Sequence, residues 1–274
     1  MNRIAVSTWS LHRYLGVSYP HDLTTTAIPE GEETWGEGEE SLLGIPSALK
    51  RHGISKLDLC AFHLRSIDPI YLGELKASLA ASDIELQMLQ IDAGDITDPI
   101  HGERDMNWTA HWFGIAEQLG AKYARVIAGR QPATQETLDL SAKRLLTLAD
   151  RNAGSPVRLL VENWFDLLDT PADVHYLFAQ LGDRIGLNVD TGNWRGPRKY
   201  LDLKAIFGPA ELCYINPVWV DGALDTEDLG KVLTIADAAG YTGNYTLIYD
   251  ADHPSNEWTG IKAEMHAIER HYEP

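Results

Sequence analysis

A short, almost continuously apolar run followed by a longer segment of helical period recurs eight times along this chain, and that alternation most restricts what it can fold into. The β-rich runs are 4–8, 56–61, 85–91, 123–128, 157–162, 185–190, 212–219 and 244–249. Strands that alternate in polarity have one wet face. Runs apolar throughout suit strands covered on both sides, as in a parallel sheet under helices. The intervening segments carry helical stripes. Trp108, Trp112, Ile115 and Leu119 share a face, and Gly120 follows as a stop. Leu138, Leu145, Ala149 and Ala153 form a second stripe ended by Gly154. Thr170-Pro171-Ala172-Asp173 reads as an N-cap, a first-turn proline and an acid near the positive end of the helix dipole. Trp258, Ile261, Met265, Ile268 and Tyr272 make the last stripe. No linker rich in Gly, Ser or Pro separates the units. Eight of them in 274 residues predict a single (β/α)8 TIM-barrel domain over 1–274. A doubly wound open sheet is the alternative, but its usual Gly-rich turn after the first strand is missing.

Composition narrows the function classes. Cys60 and Cys213 each sit in an apolar run, which reads as two buried thiols and fits a reducing cytoplasm. The opening MNRIAVSTWSL has neither the apolar core nor the cleavage site of a signal peptide, so a cytoplasmic location is expected. No apolar run reaches the roughly 20 residues of a membrane span. A net charge of −17 is the opposite of a nucleic-acid footprint. The expected partner is a small molecule, with no nucleic acid and no membrane; a homo-oligomer is compatible with the sequence. Six of the twelve residues in 29–40 are Glu. This segment reads as a solvated βα loop, or as a lid in which Trp35 could pack over a ligand.

In a barrel, chemistry sits where strands end. The fifth run closes on Glu162-Asn163-Trp164 and the sixth on Asp190-Thr191-Gly192-Asn193-Trp194. Two carboxylates on one rim are costly to bury alone, so they call for a cation, a basic neighbour or a substrate. Paired oxygens suit a hard or borderline divalent metal. The alternative is that each caps a loop or pairs with an Arg.

Four passages carry a resemblance: Leu89-Gln90-Ile91-Asp92-Ala93-Gly94-Asp95, Ala124-Arg125-Val126-Ile127-Ala128-Gly129, Val161-Glu162-Asn163-Trp164 and Asn188-Val189-Asp190-Thr191-Gly192-Asn193-Trp194. In order and spacing they resemble the sugar phosphate isomerase/epimerase family, the xylose-isomerase-like barrels. That resemblance implies one divalent ion (Mn, Mg, Co or Zn) held by a Glu, an Asp, a His and a Glu on the fifth to eighth strands. It also implies proton transfer beside a sugar carbonyl that the metal polarises. Carried over, Glu162 is a base and a metal ligand, and Asp190 is a metal ligand. The rest of the set departs from the family. The His often found after the sixth-strand Asp is Asn193 here. The seventh run, Cys213 to Trp219, has neither His nor Lys, and Ile248 stands where the eighth-strand Glu is expected. His63, Asp92, Asn216 or Asp250 would have to complete a metal shell.

The remaining candidates follow. His63, after the second strand, matches a site-facing His of the family and is a catalytic candidate. Asp92 is favoured for the site over Asp95, which suits a turn cap. Arg125, inside a strand, must be paired if buried, with Glu162 or Asp92 as partner. Asn193, Asn216 and Tyr249 are substrate-binding candidates. Trp164, Trp194 and Trp219 could wall a sugar ring, with Trp194 placed in the binding set. Lys199 reads as a solvated residue at a helix start. The expected activity is a sugar or sugar-derivative isomerase or epimerase. A sugar-binding barrel without chemistry is the alternative. An apurinic-site endonuclease would need a His-rich cluster and a basic path that this sequence lacks.

Overall fold

The computed structural model describes residues 3–251 and 256–273. Eight strands form a closed, all-parallel barrel: β1 Ile4–Ser7, β2 Lys56–Cys60, β3 Glu85–Gln90, β4 Tyr123–Val126, β5 Arg158–Glu162, β6 Gly186–Asp190, β7 Ala210–Ile215 and β10 Tyr245–Leu247, which pairs with both β7 and β1. Around it run α1 His12–Leu15, α2 Ile45–Arg51, α3 Pro69–Ser82, α4 Gly102–Leu119, α5 Gln135–Arg151, α6 Pro171–Leu181, α7 Lys199–Ile206, α8 Thr226–Ala238 and α9 Glu257–Tyr272. The barrel is therefore the expected one, and the open sheet is ruled out by its closure. Among the described residues, no helix is long and apolar enough to cross a membrane.

The helices start and stop where local chemistry says they should. Thr170 accepts from the Asp173 N–H with Pro171 in the first turn, and Asp68 and Asp225 cap α3 and α8 in the same way. Gly120 ends α4 in the left-handed conformation, at φ 78°. The α5 helix stops at Arg151, short of the expected Ala153, with Asn152 as its C-cap. The seventh run splits. Pro217 has no N–H to give a ladder, so β7 ends at Ile215, and Trp219–Val220 (β8) pairs with Ala223–Leu224 (β9) in an antiparallel hairpin. Its two-residue turn, Asp221-Gly222, has φ of 49° and 77°, as a tight hairpin turn requires.

Strand parity organises the core. Leu159, Val161, Leu187, Val189, Cys213, Ile215, Tyr245 and Leu247 point outward into the large cluster under the helices. Met88, Leu160, Leu212, Tyr214 and Ile248 form a smaller cluster inside the barrel. Both cysteines are buried and unbridged. The interior also holds a polar network. Asp58 accepts from Gln87 Nε2 (2.8 Å) and Thr246 Oγ1 (2.8 Å), and Asn244 Nδ2 donates to Gln87 Oε1 (2.6 Å).

Candidate active site

The side chain after each inward strand residue turns away, so the inward series along neighbouring strands converges on one rim. Glu162 follows Leu160 by two, Asp190 follows Asn188, and Arg125 follows Tyr123. They open into a cavity of about 240 Å³ walled by Trp9, Cys60, Gln90, Asp92, Trp164, Asn193, Tyr214, Asn216, Ile248 and Asp250 as well.

Its floor is an ionic cluster built on Arg125, which is 3% exposed. Arg125 Nη2 donates to Asp92 Oδ1 at 2.5 Å, and its Nε lies 3.0 Å from Glu162 Oε2. The Trp164 ring lies against the guanidinium at 5.1 Å. The other Glu162 oxygen, Oε1, accepts from Asn193 Nδ2 at 2.7 Å. Asp190 Oδ1 accepts from the N–H groups of Gly192 (2.6 Å) and Asn193 (3.0 Å), and Asn163 clamps the Asp190 backbone from both sides. Burial pushes the Glu162 carboxyl well up, against the pull of Arg125, with Asp190 and Asp92 adding to the rise. Burial raises Asp190 as well, against the pull of its backbone donors and Asn216. Both carboxyls are thus shifted toward the protonated form. On the opposite wall, Ser7 Oγ (2.6 Å) and Cys60 Sγ (3.3 Å) donate to Gln90 Oε1. Trp9 and Ile248 add apolar surface there.

Eight of the residues expected from the sequence come together here: Asp92, Arg125, Glu162, Trp164, Asp190, Asn193, Asn216 and Asp250. His63, Trp194, Trp219 and Tyr249 do not line this cavity. His63 is buried beneath Trp35, with Nδ1 2.9 Å from Thr8 Oγ1, and borders a separate cavity of about 410 Å³ beside the acidic loop. Burial pushes His63 down to about 3, so it is neutral. Trp194 is buried and donates Nε1–H to the Leu168 carbonyl at 3.1 Å. Tyr249 has outward parity and packs edge-on against Trp219 at 4.9 Å. Asp95 caps its own loop, taking hydrogen bonds from Thr97, Arg130 and Gln131. Trp35 packs at a tilt against His12, ring centroids 4.6 Å apart. Lys199 corrects the sequence reading: it is 6% exposed, with Nζ 2.6 Å from Asp228 Oδ1, because α7 packs its start against α8. Trp9, Gln90 and Tyr214 were not singled out in the sequence, although inward parity from Met88 and Leu212 marks Gln90 and Tyr214; Trp9 is turned to the cavity by the short 3-10 helix Thr8–Leu11 that follows β1.

A second, larger cleft of about 610 Å³ adjoins the cavity and shares Asn216 and Asp250 with it. Arg195, Tyr200 and Trp219 line it, with the Lys199–Asp228 pair in its wall.

The donors present do not fit a divalent ion. Among the described residues no group of three His, Cys, Asp or Glu side chains is placed to hold one. Both Glu162 oxygens face N–H groups, and the eighth-strand position is the alkyl side chain of Ile248.

No curated protein matches the chain by sequence. Solved structures match its fold. An L-ribulose 3-epimerase superposes with a TM-score of 0.73 at 16% identity, over 99% of this chain and 94% of that one. A 3-keto-D-glucoside 4-epimerase from E. coli gives 0.67 at 14%, over 99% of both. A barrel protein from Mycobacterium smegmatis, in complex with magnesium, gives 0.64 at 16%, over 85% of this chain and 90% of that one. The family model described as xylose isomerase-like TIM barrel matches residues 47–270. The chain belongs to the xylose isomerase-like TIM barrel family.

Proposed function

We propose that the rim cavity binds a sugar or sugar derivative and moves a proton at the carbon beside its carbonyl, as an isomerase or epimerase does. The observation that carries this reading is the pair of buried carboxyls, Glu162 and Asp190, raised by burial and lining one rim cavity. The cavity, at about 240 Å³, is smaller than the usual range for drug-sized ligands, about 300–1,000 Å³, and suits a single sugar ring. Trp9 and Trp164 offer flat apolar faces; Gln90, Asn193, Asn216 and Asp92 offer hydroxyl partners. In its ionised form Glu162 is the base, held in place by Asn193. In the adjoining cleft Lys199 is paired with Asp228, while Arg195 has no carboxylate partner among the described residues, so both an uncharged sugar and a sugar phosphate belong in the substrate screen. The epimerases among the similar folds point the same way.

The test is exchange of the α-proton in D2O across aldoses, ketoses and keto-sugars, followed by NMR. Exchange with at least one substrate, abolished by Glu162→Gln in a folded protein, is the expected result. No exchange with any of them, with or without added Mn, Mg, Co or Zn, sinks the reading. A second reading, a sugar-binding barrel without chemistry, is favoured by Ile248 in place of an acid. Stabilisation by a sugar in a thermal-shift screen without any exchange would select it.

A further inference from the structure

Arg125 has more donors than the protein uses. A guanidinium carries five N–H groups in a planar fork. Asp92 takes one at Nη2, Glu162 Oε2 pairs with Nε at 3.0 Å, and the buried Nη1 has no hydrogen-bond partner among the described residues. Asp92 Oδ2 is likewise buried with no hydrogen bond among the described residues. All of these residues line the same cavity. The unpaired atoms themselves have almost no accessible surface, so a ligand with hydroxyl or carbonyl oxygens in this cavity reaches them through small shifts of the side chains beside them. The cation is also fixed. Trp164 covers one face of the guanidinium and the β4 backbone holds its stem, so its charge needs no reorganisation when charge develops on a ligand.

We propose that the Arg125 guanidinium takes the place of the divalent ion in this barrel: its spare N–H groups hold the substrate's carbonyl oxygen, and the site works without metal. The substrate half of this inference rests on the sugar-handling reading; the metal half does not. In the step it describes, Glu162 takes the proton from the carbon beside the carbonyl. The C–H electron pair becomes the new C=C bond, and the carbonyl π pair moves onto oxygen. Arg125 N–H groups stabilise the resulting enolate oxygen. Return of the proton from Glu162 to the same carbon gives the exchange that D2O reads; its delivery to the former carbonyl carbon, while the neighbouring hydroxyl passes its own proton to the former carbonyl oxygen and becomes the new carbonyl, gives the isomer. Nothing is consumed and no outside reactant is needed.

The experiment uses the whole chain after exhaustive chelation. Calorimetric titration with Mn2+, Mg2+, Co2+ and Zn2+ is expected to show no stoichiometric binding, and thermal unfolding is expected to be unchanged by millimolar ion. Arg125→Gln removes the cation and leaves Asp92, Glu162 and Asp190 facing one another. That variant is expected to gain Mn2+ binding and to unfold several degrees higher with Mn2+ than without it. If it is recovered only unfolded, Arg125→Lys decides. It keeps the charge, stays indifferent to metal, and binds any sugar found for the wild type at least tenfold more weakly because the fork is lost. Stoichiometric ion binding by the wild type that Glu162→Gln removes would overturn the proposal. So would wild type and Arg125→Gln responding alike to Mn2+, or exchange activity that chelation abolishes and metal restores. If no sugar binds or exchanges under any condition, the sugar-handling reading fails, while the metal titrations still decide whether Arg125 stands in the ion's place.

Discussion

Asn193 touches both halves of the carboxyl pair, through its side chain to Glu162 and its backbone N–H to Asp190. Replacing it by Ala keeps the backbone bond and frees the Glu162 carboxyl. Since small misplacements of a reacting group cost on the order of 100-fold, Asn193→Ala is expected to lower α-proton exchange by about 10- to 100-fold while leaving unfolding by urea nearly unchanged. The same loss of stability and exchange together would make Asn193 a packing residue instead. At this scale the sequence was most legible where a polar residue ends an apolar strand: Glu162, Asp190 and Arg125 stand out because charge is expensive there. It was least legible where a residue's type fits two environments. Tyr249 suits a sugar wall and also a core, and only its parity, shared with the buried Leu247, separates the two. His63 suits a site and also a buried hydrogen bond to Thr8, and its surroundings are made by the loop above it, far along the chain.

Among the elements, α7, α8 and the β8–β9 hairpin are joined at one point. Asp228 on α8 accepts from Lys199 Nζ, from the Tyr200 hydroxyl at 2.9 Å and from the Val218 N–H at 3.1 Å. Lys199→Met leaves that buried carboxylate without its cation and is expected to destabilise the protein by about 3–5 kcal/mol, measured by urea unfolding. Asp228→Asn in the same background should recover much of the loss; no recovery would mean the cost lay in packing. A helix-start lysine is usually wet, and nothing in its local sequence reveals an acid 29 residues on, which is why Lys199 was misread. The hairpin was missed as well, because 212–219 reads as one apolar run; Asp221-Gly222 after Pro217 is the signal that could have found it. The acidic segment 29–40 forms no helix, consistent with its composition, and isolated bridges pair Ser18 with Glu32 and Thr34 with Gly36. Trp35→Ala removes its packing against His12, and it is expected to raise hydrogen exchange in this loop while leaving the barrel strands protected.

For the whole molecule, the interior acids set how stability depends on pH. Burial pushes Asp58 up to about 7, against the hydrogen bonds from Thr246 and Gln87. The folded chain therefore holds a proton that the unfolded chain releases. The stability this contributes is complete below the ordinary carboxyl value, declines as pH rises, and is gone above about 7. Glu162 and Asp190 shift in the same direction, and a net charge of −17 adds self-repulsion as the remaining acids ionise. Urea unfolding is expected to show less stability at pH 8 than at pH 5. Asp58→Asn should flatten the slope by up to about 1.4 kcal/mol per pH unit between pH 4 and 7. An unchanged slope would place the proton elsewhere. The barrel itself was readable from the eight-fold alternation because each unit repeats the same burial problem; the interior network was not, because Asp58, Gln87 and Thr246 meet only when the ring closes. Ring closure also makes the rim an addressable frame for engineering. At Ile248 an inward-facing address is already built and carries only hydrocarbon. Two substitutions, Ile248→Glu to write an acid at that address and Arg125→Gln to clear the resident cation, would be a minimal graft for turning a guanidinium-centred pocket into a metal-loaded one without touching the backbone.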